Sequence, residues 1–130
     1  MLEKLSFEAL ETILDTLPVE MSFVDSNDTV RYYSKGEKRI FRRTPAVIGK
    51  KVQDCHPQKS LYKVEQVVSE LKAGKRDVAE FWIDLKGRKI YIRYIPVRNK
   101  QGKYLGIIEV TQDITDIQKI KGEKRLLDGG

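Results

Sequence analysis

Asp77–Thr115 reads DVAEFWIDLKGRKIYIRYIPVRNKQGKYLGIIEVTQDIT, three runs rich in β-branched and aromatic residues: Val78 to Leu85, Lys89 to Val97 and Tyr104 to Gln112. Lys86-Gly87-Arg88 and Asn99-Lys100-Gln101-Gly102 separate the runs as hairpin loops, because glycine tolerates positive φ and asparagine favours turns. The stretch therefore predicts a three-stranded antiparallel meander that ends in Asp113-Ile114-Thr115. A sheet of this kind is a scaffold, and its function has to be argued from the site it carries.

Working outward, Ser6 to Leu17 carries Leu10, Ile13, Leu14 and Leu17 as one helical stripe, with Leu2 and Leu5 extending it upstream. Ser6 is placed to cap that helix and Pro18 to end it. Glu20 to Asp25 and Thr29 to Ser34 read as strands joined by Ser26-Asn27-Asp28. The pattern puts Met21 and Phe23 on one face of the first strand, and Val30 and Tyr32 on one face of the second. Lys35 to Phe41 suits a single helical turn, and Ala46 to Cys55 a short helix turning at Gly49. Ser60 to Ala73 is the central helix, apolar at Leu61, Val64, Val67, Val68 and Leu71, with Gly74 in the C-terminal capping position. Ile114, Ile117 and Ile120 predict an exit helix within Ile114 to Asp128. The resulting order is helix, two strands, short helices, a longer helix, three strands and an exit helix.

The chain has 130 residues, 40% of them hydrophobic, which suits one compact core and not two. No apolar run approaches 18 residues, and MLEKLSFEALETILDTL has no signal-peptide core, so no membrane association is expected. One cysteine, Cys55, excludes an internal disulfide framework and suits a reducing cytoplasm. The net charge is +6, but the cations are spread among 19 acids and form no block, so no nucleic-acid partner is expected.

Four features, in this order and spacing, resemble a PAS domain, the sensor module of many signalling proteins. They are the hairpin Met21-Ser22-Phe23-Val24-Asp25 to Val30-Arg31-Tyr32-Tyr33-Ser34; Ile48-Gly49 leading to His56-Pro57; Phe81-Trp82 with Gly87; and Gly106 with Asp113-Ile114-Thr115. The resemblance covers about residues 18–117. It implies an α+β fold, a five-stranded antiparallel sheet in the order 2-1-5-4-3 with helices on one face. Residues 1–17 would be a flanking helix and 118–130 an exit helix or tail. More narrowly, the chain is similar to PAS domains that follow a hemerythrin-like domain, to which the tail Gly122 to Asp128 adds; no hemerythrin-like domain is visible in this chain. Cys55 stands beside His56-Pro57 and not in the Asn-Cys-Arg-Phe-Leu-Gln setting of photoactive flavin domains, which disfavours a covalent flavin photocycle.

The expected function is non-catalytic: a small ligand or cofactor in a central cavity changes sheet packing and partner contacts. The candidate lining is Phe23, Tyr32, Ile48, Val52, Cys55, His56, Ile92, Tyr94 and Thr111, with Phe41 and Trp82 as further aromatic candidates. On the fourth strand Ile92 and Tyr94 are chosen as inward, because Arg93 is costly to bury unpaired. Cys55 and His56 offer a thiolate and an imidazole that could ligate haem iron; their plain alternative is a packed thiol and a ring next to a helix end. One cysteine and one histidine do not complete a zinc site, adjacent Cys and His without an orienting group make a poor nucleophilic pair, and no glycine-rich phosphate loop is present. Asp25, Asp28, Asp54 and Asp84 sit at turns and are expected to cap or stay solvated. A homodimer through the N-terminal helix and the outer sheet face is expected. Rival readings are an empty docking module and a haem or metal redox sensor.

Overall fold

The computed structural model describes residues 1–36 and 38–129. Ser6 caps α1 (Phe7–Thr16) by accepting a hydrogen bond from the Ala9 amide at 3.0 Å, and Leu17, forced extended before Pro18, ends it. Five strands follow the expected runs: β1 (Glu20–Asp25), β2 (Val30–Tyr33), β3 (Ala79–Leu85), β4 (Arg88–Arg98) and β5 (Tyr104–Asp113). They form one antiparallel sheet in the order β2-β1-β5-β4-β3. The long central helix α2 (Leu61–Lys72) packs against β5 and β4. Its buried face, Val68 and Leu71, meets Ala79 and Ile107 in the main core cluster.

The turns follow from residue chemistry. Lys86 and Gly87 both take positive φ (51° and 77°), the conformation a two-residue hairpin needs to match strand twist. Asn99 Oδ1 accepts from the Gln101 and Lys103 amides, each at 2.9 Å, which closes the β4–β5 loop. Gly106 is a close-approach glycine. At φ +148° a Cβ there would lie 2.1 Å from the Val24 carbonyl oxygen and 2.9 Å from the Phe23 ring.

Two local expectations are corrected. The chain from Ile114 onward forms no exit helix, only one turn over Ile117–Lys119. Ile117 and Ile120 are 48% and 73% exposed, so no packed face repays the cost of helix nucleation, and Gly122 follows at φ 64°. The Ala46–Cys55 segment is likewise two separate turns, Pro45–Val47 and Val52–Cys55, because Gly49 takes φ +90° between them. In the expected turn over Lys35 to Phe41 the Lys38 amide donates to the Lys35 carbonyl at 3.0 Å, and Glu37 lies outside the described residues.

The Asp-Ile-Thr end of β5 is clasped to the β3–β4 hairpin. Arg88 Nε donates to Asp113 at 2.7 Å and Arg88 Nη2 to Asp116 at 3.2 Å, and the Lys89 amide donates to the Thr115 hydroxyl at 2.8 Å. The Arg88 hydrogen bond, followed by those from Thr115, lowers the Asp113 carboxyl to about 2.

Gly106→Ala should destabilise the fold by about 2–5 kcal/mol, combining backbone strain with an overpacked contact. Gly87→Ala, with open space around the added methyl, should cost only about 1–2 kcal/mol. Equilibrium denaturation of the two variants checks this, and equal losses would contradict the close-approach account.

Candidate functional site

The site lies between the sheet and the segment from Phe41 to Val68. β-Pairing decides which side chains face it. Val24 opposes Ile107, Ser22 opposes Glu109, Glu109 opposes Tyr94, and Phe81 opposes Ile92, so these residues share the face toward α2. The opposite wall comes from the Val52–Cys55 turn, His56 and the first turns of α2. That wall is held by backbone pairing to the start of β2. The Gly49 amide donates to Val30 O at 2.8 Å, the Val30 amide to Lys50 O at 2.9 Å, and the Val52 amide to Asp28 O at 2.8 Å.

The result is a two-lobed cleft. The first lobe, about 580 Å³, is mainly apolar, walled by Val24, Val52, Val64, Val67, Val68 and Ile107. The second, about 560 Å³, opens toward Phe41, Arg42, Arg43, Val47 and Lys50. Ser22, Val24, Val52, His56, Phe81, Tyr94 and Glu109 border both lobes, and Ser22, His56, Tyr94 and Glu109 make that waist the polar part of the cleft. Phe81 and Tyr94 stack with centroids 6.0 Å apart. Arg43 Nη2 reaches to 3.6 Å from Glu109 Oε1. Burial pushes the Tyr94 hydroxyl well above the ordinary phenol range, helped by the neighbouring Glu109 carboxylate, so the ring stays a neutral donor. Burial lowers His56, Glu109 opposes that shift and Arg43 adds to it.

A buried polar network holds the loop that forms the outer wall. Arg39 and Glu20, with side chains 0% and 3% exposed, lie 3.7 Å apart. Glu20 accepts from the Ile40 and Phe41 amides at 2.6 and 3.0 Å. Arg39 donates to the carbonyls of Phe41, Met21 and Ser34 at 2.9–3.0 Å and to the Ser22 hydroxyl at 3.3 Å. The Ser34 hydroxyl in turn accepts from the Met21 amide at 2.8 Å. No sequence pattern singled out these residues; a buried Arg–Glu pair 19 positions apart has no periodic signal.

Of the nine candidate lining residues, the structure brings five to the cleft: Val52, His56 and Tyr94 at both lobes or their junction, and Cys55 and Ile92 at the second. Cys55 is exposed, its thiol 3.5 Å from the Lys51 carbonyl oxygen. Phe23 and Tyr32 are corrected to the opposite face. Phe23 lies over Gly106, and the Tyr32 hydroxyl feels Asp15 and Glu11 of α1. β1 runs in unbroken register with β5, which sets Ser22 and Val24 inward and Phe23 outward, and Tyr32 follows Phe23 as its β2 partner; a bulge in the β1–β2 pairing returns only Val30 to the inner face. Phe23 opposes Tyr32 but Val24 opposes Val30, so Val30 and Tyr32 do not share a face. Arg31, the extra residue, reaches Asp25 at 2.8 Å. Ile48 points outward, 42% exposed, beside the Gly49 turn. Thr111 is buried, 1% exposed, on the inner face opposite Glu20 and outside both lobes. Glu109, which sequence reasoning missed, was signalled by Thr111 itself, since residues two apart on a strand share a face. Trp82 is 61% exposed on the outer face and Phe41 lines the second lobe. On β4 the inward choice of Ile92 and Tyr94 matches the register, and Arg93 lies over the outer Tyr91 ring at 4.9 Å. Among the described residues no cluster of three metal-ligating side chains occurs.

The profile of the PAS domain family matches residues 10–115, and the chain belongs to that family. Among solved structures it is similar to a C-terminal domain from Streptococcus mutans, at 35% identity and TM-score 0.84, over 90% of this chain and 91% of that one. It is similar in fold to the PAS domain of BvgS from Bordetella pertussis, at 21% identity and TM-score 0.61, over 86% and 88% of the two chains. It also shares its fold with VqmA in a ligand–DNA complex from Vibrio cholera, at 20% identity and TM-score 0.63, over 95% of this chain and 63% of that one. No curated protein matches the sequence. PAS domains are generally sensory or signalling modules and typically non-catalytic.

His56 is the chain's only histidine, so its titration can be read without ambiguity. Its folded pKa is lowered from the ordinary value of about 6.5. The unfolded chain therefore binds more protons near that pH, and the stability due to a neutral His56 is present above about 6.5 and lost as pH falls toward the folded value. Ring-proton NMR should show a midpoint below 6.5 in the folded protein. His56→Gln should flatten the stability profile as pH falls below about 6.5. A midpoint at or above 6.5 would contradict the buried placement.

Proposed function

We propose that this chain is a ligand-responsive sensory domain whose cleft holds a small molecule and whose output is a change in contacts with protein partners. The observation that carries the reading is the cleft itself: an apolar lobe of about 580 Å³ with polar groups converging at one waist. A domain of this size fills its interior as a rule, and a volume large enough for a drug-sized molecule asks for an occupant. The ligand biases the domain only through different affinities for two states, and the wall most suited to differ is the loop from Arg39 to Lys50, which closes the second lobe. The chemistry is binding and not catalysis. The cysteine at the mouth is exposed and has no orienting base.

The same reading includes a homodimer. Phe7 and Ile13 of α1 are 90% and 49% exposed, and Trp82 on the outer face of β3 is 61% exposed. Covering such apolar area is favourable by about 25 cal/mol per Å². A cytoplasmic setting and a protein partner complete the proposal; the lone cysteine and the interspersed charges support them. No described helix is long and apolar enough to cross a membrane. A parent chain carrying a hemerythrin-like domain stays part of the proposal, resting on the tail resemblance alone.

A second reading, a haem sensor, is favoured by one placement: His56 borders both lobes, and Cys55 stands at the mouth of the second. Haem would supply redox and gas-binding chemistry there, and either side chain could hold it. The absorption spectrum separates the readings, since a Soret band that shifts or vanishes in His56→Ala or Cys55→Ala supports haem. Flavin bands would point to a non-covalent flavin instead.

Val64→Trp should fill the apolar lobe. Native mass spectrometry of protein purified without added ligand is expected to show a retained small molecule in the wild type and its loss in the variant. A wild type that flies at its bare mass, and whose melting temperature no small apolar molecule raises, would sink the ligand reading and leave the docking role. For the dimer, sedimentation at high micromolar concentration should show a dimer, and removal of residues 1–16 should abolish it or cause aggregation. A monomeric wild type with an equally soluble truncation overturns that part.

A further inference from the structure

Resting on the ligand-binding reading, we infer that the cleft is built for an amphipathic organic acid: an apolar body in the first lobe and a carboxylate received by Arg43 of the second lobe, beside Glu109 of the waist. The apolar lobe sets the first half of the requirement. Its walls are aliphatic, with the Phe81–Tyr94 pair along one side. A charged head set among the valines would lose its hydration without return, and Lys63, the cation on this lobe, is exposed to water, so the ligand's polar end belongs at the waist or in the second lobe.

Charge decides the sign of that end. The two lobes together present four cations, Arg42, Arg43, Lys50 and Lys63, against two carboxylates, Asp54 and Glu109. His56 is held toward its neutral form by burial and does not alter the excess. Arg43 is the cation best placed to act. Its side chain is 29% exposed, which is little for a surface arginine, and it lines the second lobe within 3.6 Å of Glu109, which borders both lobes. Its donors are largely unspent. Nη1 donates to the Arg42 carbonyl at 3.3 Å, and Nη2 stands 3.6 Å from Glu109, beyond direct hydrogen-bond reach. A guanidinium fork with free donors in a partly desolvated setting takes a carboxylate bidentately.

Glu109 sets the selectivity. It is 16% exposed, beside the Tyr94 hydroxyl, and it holds Arg43 at a distance. An incoming carboxylate competes with Glu109 for Arg43, and the loop carrying Arg43 follows its guanidinium. Ligand charge would thus be coupled to the position of the loop that Arg39 anchors on its other side. An amine head has the opposite balance: it would meet Glu109 only beside Arg43 and under the field of three further cations.

Isothermal titration with three probes of one chain length, decanoate and decylamine below their micelle concentrations and decan-1-ol below its solubility limit, reads the class directly. Decanoate should bind at least about tenfold more tightly than the alcohol or the amine. Arg43→Met should remove the preference for the acid, weakening decanoate far more than the alcohol, whereas Glu109→Gln should tighten acid binding by severalfold. Circular dichroism and the melting temperature report whether each variant is folded. Arg43→Lys serves as a second variant, expected to keep part of the preference. If the alcohol or the amine binds as tightly as the acid, or if Arg43→Met binds decanoate like the wild type, the acid class is overturned while the ligand-binding reading stands. If no probe binds the wild type, the inference falls, and the native mass measurement above decides the ligand-binding reading separately.

Discussion

Arg39 and Glu20 are the hinge of the architecture. A guanidinium and a carboxylate that are both almost wholly out of water survive only because each is fully engaged. Glu20 takes two backbone amides of the following loop, and Arg39 ties three carbonyls drawn from β1, the end of β2 and that loop. One buried pair therefore holds the β1–β2 hairpin and the loop after it in a single arrangement. Removing one partner strands a buried charge, a loss of about 3–5 kcal/mol in comparable pairs. The described residues between Ser34 and Pro45 form no strand or helix, so without this network nothing regular holds them and the second lobe loses its outer wall.

The cleft follows from what that wall and α2 leave uncovered. α2 meets the sheet mainly through Val68 and Leu71, over β5 and β4 near Ala79 and Ile107. Toward its N-terminus the helix carries Val64, and the Val52–Cys55 turn carries Val52; both pack at the edge of the Val68, Leu71, Ala79 and Ile107 cluster and, being short, leave the cleft open beside it. The opening is thus set by short aliphatic groups facing a sheet whose waist is polar. Ser22, Tyr94 and Glu109 sit on adjacent strands in register, so the polar waist is a property of strand pairing and not of any one segment.

The two faces of the sheet divide the work. The inner face carries the cleft; the outer face carries Trp82, Tyr91 and Arg93, with Phe23 and Tyr32 toward α1. The clasp of Arg88 on Asp113 and Asp116 joins the chain's departure from β5 to the β3–β4 hairpin, whose Phe81 borders the cleft. A shift of the cleft walls and the direction of the C-terminal segment are therefore linked through the same three strands.

Much of the fold was legible in the residues alone. Alternation and turn chemistry are local signals, and they sufficed for five strands, both main helices and the Ser6 cap. The strand order came from family resemblance. Parity on β4 was also readable, because an unpaired Arg93 cannot be buried cheaply. The tertiary structure alone decided the rest. It put Ser22, Val24 and Glu109 at the cleft in place of Phe23 and Tyr32, because the β1–β5–β4 register sets those residues on the inner face and because Arg39, remote in sequence, makes burial of Glu20 and Ser22 tolerable. It also left the tail without a helix, since isoleucines three apart form one only when a neighbour covers them. Period-two and helical patterns report what a segment prefers by itself. Which polar groups are satisfied, and so which face is inside, depends on partners brought together by the chain's long-range folding.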